Sequence, residues 1–143
     1  MHIRPYQAAD QEEVLAVWLS ASCSGHNFIP AAYWKSQVPI IRDDYLATAE
    51  TWVAIEKGKI AGFISLLGNL VGGLFVLPAE QGKGIGSALV KHAAALRKQP
   101  LTVEVYEKNI RARRFYQKYG FTLQGARLHD DTNETLLLMQ QLS

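Results

Sequence analysis

At 143 residues, with 48% hydrophobic and 20% charged side chains, the chain is sized and composed for one globular domain, residues 1–143, and not for a disordered or fibrous segment. Its formal charge of +2 is too small to argue for nucleic acid or a membrane surface as partner, although a local basic cluster can still hold an anion. One cysteine, Cys23, excludes an intrachain disulfide, and no run approaches the roughly 18 apolar residues that span a bilayer.

Met1-His2-Ile3-Arg4-Pro5 lacks the apolar run of a signal peptide, so a cytoplasmic location is expected. Residues 3–6 read as a first strand. Asp10 offers an N-cap to a helix whose Val14, Val17, Trp18 and Ala21 share a face, and residues 22–27 read as a loop by composition. A second helical region follows Pro30 to about Ala47, interrupted near Pro39. Residues 51–56 and 60–67 form a hairpin across Lys57-Gly58-Lys59, and residues 70–76 a third strand whose Gly72-Gly73 marks a bulge or a close backbone approach. From Gly84 a helix runs to about Gln99 with Ile85, Ala88, Leu89, His92, Ala93 and Leu96 on one face. Residues 101–106 are a strand, residues 111–119 a short helix closed by Gly120, and residues 121–128 and 134–140 a last hairpin across residues 130–133. No repeat or linker divides the chain, and the order β-α-α-β-β-β-α-β-α-β-β implies an α/β fold with a mixed sheet carrying helices on its faces.

The most informative segment is Gln81-Gly82-Lys83-Gly84-Ile85-Gly86-Ser87, three glycines between a strand and a strongly amphipathic helix. Glycines let successive backbone N–H groups converge, and a helix start adds partial positive charge, which together suit a phosphate. A plain tight turn is the structural alternative. A P-loop fails, because Gly82-Lys83 is followed by Gly84 and position 77 is Leu. The dinucleotide fingerprint is approximated by Gly82, Gly84 and Ser87 with Glu104 about 20 residues on. However, Pro78-Ala79-Glu80-Gln81 separate the loop from its strand, and the chain ends too soon for a second doubly wound half, so an oxidoreductase fragment ranks well behind.

Gln81-x-x-Gly84-x-Gly86 resembles the pyrophosphate loop of the GCN5-related N-acetyltransferase (GNAT) superfamily, and the preceding Leu74-Phe75-Val76-Leu77-Pro78 resembles its fourth strand. Asn109-x-x-Ala112-x-x-Phe115-Tyr116-x-x-x-Gly120-Phe121 resembles a second motif of that family position for position and in the correct order. At finer grain, Ser24-Gly25-His26-Asn27-Phe28-Ile29 and Ala32-Tyr33-Trp34 look like the small bacterial YiaC/YjaB-like acetyltransferases. The resemblance implies a mixed, mostly antiparallel sheet of six to seven strands with helices on both faces. It further implies transfer of an acetyl group from acetyl-CoA to a primary amine in a ternary complex, without a metal.

By that resemblance, coenzyme A is held by Leu74, Phe75 and Val76 of the fourth strand and by Gln81, Gly82, Lys83, Gly84, Ile85, Gly86 and Ser87. Asn109, Ala112, Phe115 and Tyr116 of the second motif complete the set. The arm lies between splayed fourth and fifth strands, where a backbone N–H near Val76 polarises the acetyl carbonyl. A lysine-type amine has a pKa near 10.4 and attacks only as the free base, so a proton must be removed and the thiolate helped to leave. Tyr116 is the general-acid candidate by the motif, with core packing as its alternative. Glu104 is the candidate base: it alternates with Val103 and Val105 and stands five residues before Asn109, where one family branch carries such a glutamate. An ion-paired strand carboxylate explains it equally well.

His26, Phe28 and Tyr33, with Trp34, are expected on the acceptor wall, His26 in substrate contact or proton relay. Cys23 beside His26 suggests a thiol nucleophile, but no placed third partner supports it. His129-Asp130-Asp131 reads as a solvated turn and not a metal site. Lys108, Arg111, Arg113 and Arg114 form either a solvated face or a seat for the adenosine 3′-phosphate. A non-catalytic CoA sensor, the identity of the acceptor (protein lysine, protein N-terminus or small amine) and the choice between monomer and homodimer all stay open.

Overall fold

The computed structural model describes residues 1–142. It runs β1 (His2–Pro5), α1 (Gln11–Gly25), α2 (Ala31–Ile40), a single turn α3 (Leu46–Thr48), β2 (Glu50–Glu56), β3 (Lys59–Leu67), β4 (Leu70–Val76), α4 (Ile85–Leu96), β5 (Thr102–Tyr106), α5 (Ile110–Lys118), β6 (Phe121–His129) and β7 (Glu134–Gln141). The strands form one sheet in the order β1-β2-β3-β4-β5-β7-β6. Every neighbouring pair is antiparallel except β4 with β5. Apart from α3, this is the element order expected from the sequence, and the mixed, mostly antiparallel seven-stranded sheet is the one that the resemblance implies.

The central strands read as continuous apolar runs because both of their faces are covered. On one face, Ala54, Ile64, Leu66, Val71 and Val103 pack with Ile85, Leu89, Val90 and Ala93 of α4 and Tyr116 of α5. On the other, Val53, Phe63 and Tyr106 pack with Val14, Val17 and Trp18 of α1 and Trp34 of α2. Adjacent residues such as Val53 and Ala54, or Phe63 and Ile64, serve opposite cores, as the two-residue period of a strand requires. At the β2–β3 turn Lys57 (φ 52°) and Gly58 (φ 78°) are both left-handed, the pair of dihedrals that a two-residue hairpin of this twist demands.

Three local readings are corrected, and the interruption near Pro39 is borne out. Asp10 does not cap α1; its carboxylate accepts from Arg4 Nη1 (2.7 Å), Arg4 Nη2 (2.9 Å) and the Gln7 N–H (2.8 Å). Residues 22–25 are the last turn of α1 and not loop, because Ser22 is fully buried and Cys23 packs against the second core. α2 loses regularity just past Pro39, as expected, but the chain continues through a wide π-type turn (Ile41–Tyr45) into α3. α4 stops at Leu96, itself 42% exposed, rather than near Gln99. Arg97 turns extended and donates to Gly68 O (2.9 Å) and Glu50 (2.8 Å), and Pro100 disfavours helix just before it.

Gly72 carries both features expected of the Gly72-Gly73 pair. The register with β3 jumps from Ser65–Gly73 to Leu66–Val71, leaving Gly72 unopposed as a bulge. The Tyr45 hydroxyl occupies the space in which a β-carbon at position 72 would stand. Gly72→Ala is therefore expected to destabilise the protein by about 1–3 kcal/mol in urea denaturation, and trimming Tyr45 to Leu in the same chain to recover part of the loss. Equal midpoints for Gly72→Ala and the parent would contradict that packing.

Candidate active site

β4 and β5 are paired only at Leu70–Thr102 and Val71–Val103 and then part. β4 stays bonded to β3 as far as Val76, and β5 stays bonded to β7 as far as Tyr106, so each half of the sheet is rigid up to the gap. Because the Leu77 N–H donates to Ala61 O (2.8 Å) on the β3 side, the Val76 N–H, one residue earlier, faces the opposite edge and hence the gap. A cavity of about 960 Å³ fills this opening; its lining includes Gly82 and Gly84 of the glycine loop and, beyond the gap, Tyr33, His129 and Asp131.

Gly84 is the N-cap of α4 at φ 85°, ψ 8°, a left-handed conformation that a side chain resists. The first intrahelical bond is Ala88 N–H to Gly84 O (3.0 Å), so the amides of Ile85, Gly86 and Ser87 begin the helix without an acceptor inside it. Together with the positive end of the helix, they form an anion cradle on the cavity wall. Gln81 lines it too, its amide donating to Val76 O (3.3 Å). Lys83 does not line the cavity; it pairs with Glu80 (3.0 Å), which does.

The second motif forms the facing wall. The Asn109 side chain caps α5 by accepting from the Ala112 N–H (3.1 Å), and Ala112, Phe115 and Tyr116 line the cavity. Tyr116 stands edge-on to Phe115 and Phe121, with ring centroids 5.3 and 5.2 Å away. Burial pushes its phenol well above the ordinary tyrosine range, so it is protonated at neutral pH. Tyr119 donates from its hydroxyl to Ser87 Oγ (2.5 Å), tying α5 to the start of α4.

On the α1 and α2 side, His26 is the C-cap of α1 and lines the cavity with Tyr33 and Trp34. Its Nδ1 bonds to Ser22 O (3.1 Å) and its Nε2 to Asn109 Nδ2 (3.2 Å). Burial lowers its pKa, against a smaller raising effect of the Ser22 carbonyl. Tyr33 is pushed up to about 12, chiefly by burial and further by Tyr106 and Asp131. Phe28 lies in a separate pocket of about 220 Å³ that shares Tyr33 and Asp131 with the main cavity.

Glu104 lines the cavity, where its carboxylate accepts from Arg127 Nε (2.7 Å) and Nη2 (3.2 Å). Of the basic cluster, Arg111 lines the cavity, Arg113 donates to Glu107 O (2.9 Å) and Lys108 pairs with Glu134 (2.8 Å). Cys23 is outside the lining, so no thiol faces the gap. Among the described residues, no group of three or more His, Cys, Asp or Glu gathers as a metal site.

Sequence reasoning missed His129, Asp131 and Tyr106 as wall residues. Tyr106 bonds to His129 Nδ1 (2.8 Å), and Asp131 reaches the cavity only because the β6–β7 hairpin folds over it. No local pattern carries that information. A left-handed glycine cradle, an unpaired strand edge and a gap of this volume fit a long, amide-bearing nucleotide coenzyme such as CoA.

Residues 47–123 match the family model described as an acetyltransferase (GNAT) domain. The chain is 40% identical over 131 residues to the peptidyl-lysine N-acetyltransferase YiaC of Escherichia coli, covering 91% of this chain and 89% of that protein. The solution structure of apo YjaB from Escherichia coli superposes with a TM-score of 0.87 at 32% identity over 99% of this chain and 97% of that one. The PaiA N-acetyltransferase of Thermoplasma acidophilum, solved with coenzyme A, shares the fold with a TM-score of 0.84 at 18% identity, over 99% and 98% of the two chains. A glycine loop with free helix-start amides, a split sheet and relatives of this kind agree: the chain belongs to the GNAT family, in its YiaC/YjaB-like branch, and is an acetyl-CoA-dependent acyltransferase.

Proposed function

We propose that residues 1–143 act as one catalytic domain that acetylates lysine ε-amino groups of proteins in the cytoplasm. The observation that carries this reading is the single cavity joining the glycine cradle to the wall of His26, Tyr33, His129 and Asp131. An amine entering on that side meets the thioester in the gap. YiaC, at 40% identity, is a peptidyl-lysine acetyltransferase, which favours protein lysine over a small amine. No helix among the described residues is long and apolar enough to cross a membrane.

In this mechanism the amides of Ile85, Gly86 and Ser87 hold the diphosphate, and Leu74, Phe75, Ala112 and Phe115 flank the arm. The coenzyme supplies the activated acetyl group. The Val76 N–H faces the acetyl oxygen and receives the charge that builds there, an effect worth roughly 3–4 kcal/mol for one such donor. Tyr116, kept protonated by its burial, donates its proton toward the departing sulfur. Glu104, held by Arg127, takes the proton of the incoming amine through a water.

Incubation with isotope-labelled acetyl-CoA and a protein extract, read by mass spectrometry, should place label on lysine side chains. Label confined to N-termini or small amines would overturn the choice of acceptor; thermal stabilisation by CoA without thiol release would favour a sensor instead. Tyr116→Phe should lower kcat about a hundredfold or more with little change in CoA affinity, and an unchanged kcat removes Tyr116 from the reaction. Glu104→Gln should lose most activity at low pH, where the free amine is scarcest; the same fractional loss at every pH would argue against proton removal by Glu104.

A further inference from the structure

The acetyltransferase reading leaves open what His26 and Asn109 do together, and a role for the pair in coenzyme binding rests on that reading. Three hydrogen bonds link α5 to α1 in series: Ala112 N–H to Asn109 Oδ1 (3.1 Å), Asn109 Nδ2 to His26 Nε2 (3.2 Å) and His26 Nδ1 to Ser22 O (3.1 Å). Both ends have fixed polarity, since a backbone N–H only donates and a carbonyl only accepts. Asn109 must therefore present its oxygen to Ala112 and its NH₂ to His26, and His26 must carry its proton on Nδ1 with Nε2 bare. The chain of bonds is complete only for neutral imidazole.

Its position is as informative as its polarity. α1 lies against the β3–β4 half of the sheet, and Asn109 stands just after β5, which belongs to the other half. The halves share only two residue pairs, between β4 and β5, and then diverge. We propose that His26 and Asn109 are positioning residues, a clasp that ties the two halves together beyond the gap and closes only while His26 is uncharged. In this role the one lone pair of His26 is committed to Asn109, unlike in the substrate contact or proton relay expected of it.

An imidazolium would aim a second N–H at the Asn109 NH₂. Asn109 cannot rotate its oxygen into that place without withdrawing it from Ala112 and losing the cap of α5. The ring is surrounded by Trp34, Tyr106 and Phe28, at centroid distances of 5.1, 5.2 and 5.7 Å. The other titratable groups on the same cavity are Tyr33, Tyr116 and Tyr119, His129, Asp131 and Glu80, Glu104 held by Arg127, Arg111 and Lys118; Lys108 nearby is paired with Glu134. Because burial lowers the folded-state pKa below the ordinary 6.5, the clasp contributes fully above that pH and is lost as pH falls through the lowered value.

The test is ring-nitrogen NMR of His26 in the coenzyme-free protein between about pH 5 and pH 8, in the wild type and in Asn109→Asp. The wild type should show Nδ1 protonated, Nε2 bare and a midpoint below 6.5. Aspartate also caps helices but offers His26 only acceptors, so the midpoint should rise by about one unit or more and Nε2 should gain a proton. In parallel, calorimetry should find that wild-type CoA affinity falls about two- to tenfold as His26 titrates. CoA itself titrates in this range, so each curve is compared with that of His26→Gln, whose side-chain carbonyl accepts from Asn109 at every pH. In Asn109→Asp the loss should move to the alkaline side.

A wild-type His26 protonated on Nε2, or a midpoint that Asn109→Asp does not move, overturns the clasp. A titration as expected with a CoA affinity that ignores it overturns the positioning role. Intact titration with no CoA binding at any pH instead overturns the acetyltransferase reading and leaves the clasp standing.

Discussion

The separation of β4 from β5 after two residue pairs is the constraint on which the rest of the site depends. A sheet interior does not ordinarily leave backbone amides facing one another across a void, since unpaired polar groups are costly to bury. Here both strands stay satisfied on their outer edges, β4 by β3 and β5 by β7, so only the facing edges are left over. The bulge at Gly72, with Tyr45 seated against it, breaks the regular pleat of β4 where the pairing ends. The two cores then lock each half in place from opposite faces.

That split lets one chain present two chemically different entrances. On the α4 side the wall is main chain: a left-handed glycine, uncapped amides and a helix start, all suited to an anion. On the α1 and α2 side it is side chain: imidazole, phenols and a carboxylate, suited to an amine and its proton. The charged residues between them are mostly paired, Glu104 with Arg127, Lys83 with Glu80 and Lys108 with Glu134. Exposed pairs of this kind contribute little to stability. Their effect is to offset the carboxylates of Glu80 and Glu104 where they border the cavity.

Asn109 shows how closely local and long-range demands are joined. Its oxygen answers a local need, the first orphan amides of α5, while its nitrogen answers a distant one, the imidazole at the end of α1. A single amide side chain thus caps the helix that carries Tyr116 and bonds to the imidazole at the end of α1. The structural part and the site part of the motif are the same residue.

Features that rest on neighbours in the chain were legible from the residues alone: the element order, the hairpin at Lys57-Gly58 and the bulge at Gly72. Each follows from backbone sterics or a period of two or 3.6, which act over a few residues. Where local composition misled, at Asp10 and at residues 22–25, a distant partner or a buried face had overridden it. Legible, too, was that the residues of the two motifs, Lys83 excepted, would gather around one cavity, because they come from two continuous segments. Only the tertiary structure decided that Glu104 meets Arg127, that His26 meets Asn109 across 83 positions and that Tyr33 meets Asp131 across 98. Such pairings come from how the two halves of the sheet turn toward each other, and no period or motif in a linear chain encodes that approach.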